Sequence, residues 1–116
     1  MDNEELRLKM LRLIEANPSM SQRQIADALG ISLGGVNYCL RALAEIGLIK
    51  VGNFAKSGHK LGYLYLLTPR GIREKTRITA SFLAKKRQEY EALRQEILRL
   101  EVDLANEPQT ANTFND

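Results

Sequence analysis

The sequence predicts a mainly α fold with one β-hairpin and a long C-terminal helix. Apolar residues recur at helical spacing through the first 47 residues, the pattern shifts toward period 2 between residues 49 and 66, and a helical pattern then runs to about residue 105. The length of 116 residues suits one domain with a helical extension. We therefore expect a first domain over residues 1–68, a C-terminal helix over 69–105 and a disordered tail over 106–116.

The first helix is expected from Glu4 to Ala16, where apolar side chains share one face and Leu11 lies on its flank. The positions expected to face inward are Leu6, Met10, Leu13 and Ile14. Asn17 and Pro18 then end the helix.

Two short helices follow, and their ends carry capping residues. Ser21 and Gln24 have the spacing of a capping box at the start of helix two, and Gly30 suits the left-handed backbone that ends it. Ser32 is a second N-cap, and helix three is expected to close at Gly47. The residues expected to face inward are Ile25, Ala26 and Leu29 in helix two and Val36, Leu40, Leu43 and Ile46 in helix three.

Residues 49–54 and 61–66 are rich in β-branched and aromatic side chains, which is typical of strands. The connection 55–60 is polar, basic and contains a glycine, so the two segments predict a β-hairpin with a basic tip. Thr68 and Pro69 then supply the N-cap and the first position of the last helix.

Composition favours a soluble, cytoplasmic protein. The lone Cys39 cannot form an internal disulfide, the N-terminus is acidic where a signal peptide is basic, and no apolar run has the length of a membrane span. With one histidine, one cysteine and no paired carboxylates on a common face, no enzyme, cofactor or metal site is expected.

The net charge of +3 hides a strong segregation along the chain. Residues 50–87 contain ten basic residues and only one acidic residue, Glu74, whereas the segments before and after are net acidic. A local excess of this size attracts a polyanion. A merely solvated basic surface is the alternative.

The order of elements and their turn chemistry predict a winged helix-turn-helix, whose third helix enters the major groove of DNA. The amide of Asn37 can offer a donor and an acceptor to adenine, and Arg41, one turn later, suits a phosphate contact. The predicted contacts on the helices are Ser21, Gln22, Arg23, Ser32, Gly34, Gly35, Asn37, Tyr38 and Arg41.

Several of these residues also have a simpler interpretation. Ser21 and Ser32 lie at helix N-termini that favour phosphate, but a plain cap explains each of them equally well. Gly34 and Gly35 either let the backbone approach phosphate closely or form a flexible first turn without contact to DNA. Cys39 is expected to be a small buried hydrophobe.

The hairpin tip supplies further donors, as a wing beside the minor groove or the phosphates requires. They are Lys56, Ser57, His59 and Lys60. His59 has no second ligand at metal-binding spacing, so we expect a solvated wing residue.

The last helix carries apolar residues at heptad spacing, interrupted by Lys86. The expected dimerisation residues are Leu83, Tyr90, Leu93, Ile97, Leu100 and Leu104. Self-association as a coiled coil is favoured over packing back onto the same chain, because the residues would otherwise face water. The flanking charges mildly favour a parallel pair.

Five runs of sequence carry a family resemblance: SQR at 21–23, GISLGGVNY at 30–38, NF at 53–54, KLGY at 60–63 and LTPRGI at 67–72. They resemble the MarR family of winged helix-turn-helix transcriptional regulators, and more closely its small bacterial branch associated with exopolysaccharide (EPS) gene clusters. The resemblance covers residues 5–100 and implies a cytoplasmic, dimeric, DNA-binding regulator. MarR regulators usually have an additional N-terminal helix in the dimer and ligand pocket. Only about 20 residues precede the helix-turn-helix here, so we expect the C-terminal helix to carry the dimer, and no small-molecule ligand is evident.

The expected function is therefore a sequence-specific, double-stranded DNA-binding transcriptional regulator that acts as a homodimer, with exopolysaccharide genes as the targets that the resemblance implies. The alternative is a winged-helix module for protein–protein interaction, whose basic surface binds an acidic partner and no specific DNA site.

Overall fold

The structure is a computed structural model that describes residues 3–55 and 61–108, with the backbone alone for 53–55 and 61–62. Within those residues the elements are α1 (Glu4–Ala16), α2 (Gln22–Leu29), α3 (Leu33–Glu45), β1 (Ile49–Ala55), β2 (Leu61–Leu67) and α4 (Pro69–Ala105). The predicted fold class is confirmed. The chain divides into two compact units, Met1–Ala80 and Ser81–Asp116, so that residues 69–80 of α4 belong to the first unit.

The helix ends are held by the side chains that the sequence indicated. The Ser21 hydroxyl accepts from the Gln24 N–H, and the Gln24 side chain accepts in return from the Ser21 N–H, which completes a capping box. Gly30 ends α2 with a left-handed φ of 69°. Ser32 caps α3 by accepting from the Gly35 N–H at 3.0 Å.

The core of the first unit forms where α1, α2, α3 and the base of the hairpin meet. Its residues are Met10, Leu11, Ile14, Ile25, Ala26, Val36, Leu40, Leu43, Leu48, Ile49 and Tyr65. Leu11, which the sequence placed on the flank of α1, is fully buried.

The prediction that Ile46 faces inward is wrong, because its side chain is 45% exposed. Helix α3 ends at Glu45, and Ile46 is its C-cap residue, followed by Gly47 with a positive φ of 78°. The helical spacing of inward-facing positions ends at this turn, and Leu48 is buried in the core in place of Ile46.

The two strands pair in antiparallel register, with Ile49 opposite Leu67 and Val51 opposite Tyr65. Ile49 and Tyr65, near the base of the hairpin, are buried against the helices. The N–H of Tyr65 also donates to the carbonyl of Pro18 at 2.9 Å, which ties β2 to the connection between α1 and α2.

Helix α4 begins in close contact with the end of α3. The Thr68 hydroxyl accepts from the Gly71 N–H at 3.0 Å and donates to the Gly47 carbonyl at 2.5 Å. A Cβ atom at Gly71 would lie 2.0 Å from the carbonyl oxygen of Leu48, so only glycine fits this position.

Ion pairs join α1 to the start of α4. Arg77 pairs with Glu74 at 2.6 Å and with Glu4 at 2.8 Å, and Arg7 pairs with Glu74 at 2.7 Å. Lys75 also pairs with Glu15 of α1. Lys75 and Arg77 of the basic segment are therefore paired with acidic residues of α1.

The remainder of α4, from residue 81 to Ala105, lies in the second unit. Most of the predicted tail, residues 109–116, lies outside the described residues. Among the described helices, none combines the length and the apolar character that crossing a membrane requires.

Candidate nucleic-acid interface

The helix-turn-helix is built by the close contact of α2 with α3. Ala26, a small side chain at the contact, is buried, and its carbonyl accepts from both Gly30 at 2.8 Å and Ile31 at 3.2 Å. Val36 and Leu40 anchor the inner face of α3. The opposite face of α3 is therefore presented to solvent.

That exposed face carries the side chains expected to read DNA. Asn37 and Arg41 are exposed, and Tyr38 is 76% exposed. Arg41 has no ion pair or hydrogen bond with any residue that the structure describes, so its charge remains available for a phosphate. Gly34 lies on the same face in the first turn of the helix.

The hydroxyl group of each capping serine accepts one hydrogen bond within the protein and can still donate another. Each hydroxyl oxygen accepts from a backbone N–H of its own helix, at 3.1 Å for Ser21 and 3.0 Å for Ser32. Their hydroxyl hydrogens remain able to donate to a phosphate. Arg23 is exposed beside Ser21 and has no ion pair within the described part of the chain.

Gln22, expected to contact DNA, has two partners inside the protein. Its Nε2 donates to the Tyr65 hydroxyl at 3.3 Å, and its Oε1 accepts from Asn37 Nδ2 at 3.4 Å. This side chain therefore bridges the hairpin and α3.

The two glycines at the start of α3 differ in their surroundings. A Cβ atom at Gly34 would meet nothing within 4 Å, whereas one at Gly35 would lie 3.1 Å from the capping Ser32 hydroxyl. Packing within the protein thus gives a reason for Gly35 but none for Gly34.

A cleft of about 290 Å³ separates α3 from the hairpin. It is lined by Gln22, Asn37, Leu40, Arg41, Ala44, Val51, Tyr63 and Tyr65. Val51 and Tyr63 were not predicted as site residues, although strand alternation places both on the face of Ile49 and Tyr65. The predicted wing contacts Lys56, Ser57, His59 and Lys60 lie outside the described residues.

Cys39 lies on a second groove, between α1 and α3, with a volume of about 350 Å³. Partial burial raises the pKa of its thiol, so the thiolate is disfavoured. No group of three or more potential metal ligands occurs among residues 3–55 and 61–108.

The predicted dimerisation residues Leu83, Tyr90, Leu93, Ile97, Leu100 and Leu104 all lie on α4 with exposed side chains. Leu98 and Val102 are also exposed but do not belong to the predicted seam, the row formed by those six dimerisation residues. A shallow cleft of about 180 Å³ runs along Tyr90, Leu93 and Ile97.

Comparison with known proteins places this geometry in a known fold. Residues 3–50 match the family model described as winged helix-turn-helix DNA-binding. The fold is a winged helix-turn-helix. The comparison with curated protein sequences finds no match.

Solved structures share this winged-helix fold over most of the chain. The transcriptional repressor CouR is 23% identical with a TM-score of 0.59, and the match covers 90% of this chain and 74% of that one. A mutant of S. aureus MepR bound to an oligodeoxyribonucleotide is 20% identical with a TM-score of 0.59, over 90% and 80% of the two chains. A MarR family protein of Mycobacterium tuberculosis in complex with p-aminosalicylic acid is 20% identical with a TM-score of 0.57, over 86% and 77%.

These similarities confirm the resemblance to MarR family regulators at the level of the fold. They do not distinguish the exopolysaccharide-associated branch, which stays a prediction.

Proposed function

We propose that this winged-helix chain is a sequence-specific, double-stranded DNA-binding transcriptional regulator that acts as a homodimer in the cytoplasm. The observation that carries the proposal is the outer face of α3, where Asn37, Tyr38 and Arg41 are exposed together. An arginine that has no ion pair among the described residues, beside an amide able to read a base, is the combination that major-groove recognition needs. That a relative of the same fold is described bound to an oligodeoxyribonucleotide supports the same conclusion.

The homodimer rests on the exposed apolar residues of α4. Six large side chains at heptad spacing face solvent along residues 83–104, and a second copy of the same helix would bury them. A two-fold symmetric dimer reads two half-sites about 34 Å apart, one turn of the double helix. Bound at such a site, the protein would block or recruit RNA polymerase, and exopolysaccharide genes are the proposed targets.

The first test is a salt titration of binding to mixed genomic duplex fragments, followed by sequencing of the retained fraction. We expect steep salt dependence and enrichment of one inverted repeat. Steep salt dependence without enrichment would leave a nonspecific binder. Absence of binding at low salt would favour the protein-interaction module instead.

Arg41→Ala tests the phosphate contact within the same experiment. We expect weaker binding to every sequence and a salt slope smaller by about one. Arg99→Ala is the matched control, because it removes the same charge from an exposed position of α4. Equal slopes for the wild type and Arg41→Ala would remove this residue from the interface.

A further inference from the structure

Three polar side chains form a continuous hydrogen-bonded chain from the hairpin to the recognition helix. Asn37 Nδ2 donates to Gln22 Oε1 at 3.4 Å, and Gln22 Nε2 donates to the Tyr65 hydroxyl at 3.3 Å. The three residues lie on α3, α2 and β2, so the hydrogen bonds join three of the four elements that line the cleft.

Tyr65 and Gln22, the two less exposed residues of this hydrogen-bonded series, are each held in place by further contacts. Tyr65 is only 6% exposed, and its N–H is bonded to the Pro18 carbonyl. Gln22 is the first residue of α2, directly after the Ser21 capping box that fixes the start of that helix. The Tyr65 hydroxyl and the Gln22 amide therefore occupy defined positions, whereas Asn37 alone is exposed.

The contact with Gln22 determines how the Asn37 amide is presented. One hydrogen of Nδ2 is taken by Gln22, and the second hydrogen and Oδ1 have no partner among the described residues. That remaining pair of one donor and one acceptor is the set that matches N7 and N6 of adenine in the major groove. An amide free to rotate would present the two groups in either order and would pay the cost of ordering on binding.

We propose that Gln22 and Tyr65 are positioning residues that fix the Asn37 amide, and that they thereby set the base preference at the position Asn37 contacts. The inference rests on the proposed function, because it assumes that α3 reads duplex DNA. It assigns a role in specificity to Tyr65, a buried residue that does not itself reach the DNA-reading face.

The test is selection from a randomised duplex library with the wild type, Asn37→Ala and Tyr65→Phe. Asn37→Ala should abolish the preference at one base pair of each half-site. Tyr65→Phe keeps the buried ring and removes only the hydroxyl, and it should reduce the preference at that same base pair by about 2- to 10-fold, the effect of one neutral hydrogen bond. In Tyr65→Phe, the preferences at other positions and the affinity for random duplex should not change.

Tyr63→Phe is the matched control. Tyr63 lies two residues from Tyr65 on the same face of β2 and lines the same cleft, but its hydroxyl has no partner among the described residues. This variant should select the wild-type motif at the base pair in question.

A second variant, Gln22→Ala, removes both hydrogen bonds without changing a core residue. It should lower the preference at the same base pair. The double variant with Tyr65→Phe should show no larger loss of preference than Gln22→Ala alone, because both substitutions act through the same series of hydrogen bonds. Additive losses, losses spread over all positions or an unchanged motif in Tyr65→Phe would each overturn the inference while leaving the proposed function intact. A wild type that enriches no motif would instead overturn the proposed function, and this inference with it.

Discussion

The two units of the chain use their apolar residues in opposite ways. In the first unit, large apolar side chains of three helices and a hairpin converge in one core, where Met10, Leu11, Ile25 and Val36 are at most 1% exposed. In the second unit, every large apolar side chain from Leu83 to Leu104 is at least 44% exposed. The dimer proposed above would bury these exposed side chains against a second copy of the helix.

The ion pairs show the same difference. In the first unit some of them join residues far apart in sequence, such as Arg7 with Glu74 and Arg77 with Glu4, beside local pairs such as Lys9 with Glu5. In the second unit they join residues three apart on one helix, such as Lys86 with Glu89 at 3.2 Å. Long-range ion pairs therefore contribute to the first unit, whereas the ion pairs described in the second unit are local.

Gly71→Ala should cause the largest loss of stability. The new Cβ would lie 2.0 Å from the Leu48 carbonyl oxygen, so α4 would have to move away from the turn after α3. We expect the free energy of unfolding to fall by more than about 3 kcal/mol, measured by urea denaturation of the first unit.

Gly52→Ala is the matched control, because its Cβ would meet only the Leu64 side chain at 3.9 Å, an ordinary contact. It should change the free energy of unfolding by less than about 1 kcal/mol. Similar losses for the two variants would mean that α4 does not begin against Leu48 as described.

Ile97→Asp should disrupt the proposed dimer without destabilising the first unit. A charged carboxylate in the centre of the apolar seam has to be desolvated in the dimer, and we expect the dissociation constant to rise by roughly 100-fold or more. Light scattering should then report monomers, while urea denaturation of the first unit is unchanged. Gln95→Asp places the same charge on the same helix but off the seam and should remain dimeric; a monomeric control would show that charge alone, not burial, is responsible.

The features that sequence predicted well are those that depend on neighbouring residues. The capping box of Ser21, the left-handed Gly30 and the Ser32 cap follow from short-range chemistry, and all are present. The exposure of Ile46 was missed although its cause is local: α3 ends at Glu45, and the turn at Gly47 brings Leu48 into the core in its place.

The candidate site shows which features local sequence patterns can predict and which they cannot. Its outer residues on α3 follow from helical periodicity, which identifies the face opposite Val36 and Leu40. The partners of Asn37 do not, because Gln22 is 15 residues from Asn37 and Tyr65 is 43 residues from Gln22. No spacing rule connects these residues before the fold brings them together.

Glu74→Gln tests the ion pairs between α1 and α4. Hydrogen bonds and charge from Arg77, and then from Arg7, hold the pKa of Glu74 below its ordinary value. The folded state therefore favours the carboxylate, and its stabilisation is fully present above the ordinary glutamate pKa and is lost as pH falls through the lowered one. We expect the variant to lose about 1–2 kcal/mol of unfolding free energy at neutral pH, with the difference from the wild type narrowing below about pH 4.

Glu89→Gln removes a carboxylate from an exposed pair within α4 and serves as the control. Its unfolding free energy should change by less than about 0.5 kcal/mol. If the two variants lose equal stability, the tertiary pairs of the first unit contribute no more than the local pairs of the second.

Gly34→Ala should raise stability slightly and should have the most informative effect on binding. A Cβ atom there meets nothing within 4 Å and the backbone is helical, so alanine should raise the unfolding free energy by about 0.5–1 kcal/mol. If Gly34 only loosens the first turn of α3, the more stable variant should bind duplex DNA at least as tightly as the wild type. If the glycine admits a phosphate close to the backbone, the variant should be more stable yet bind more weakly, in a titration compared with Arg41→Ala. Because packing inside the first unit gives no reason for a glycine here, a gain in stability joined to a loss in affinity would assign this residue to the DNA surface.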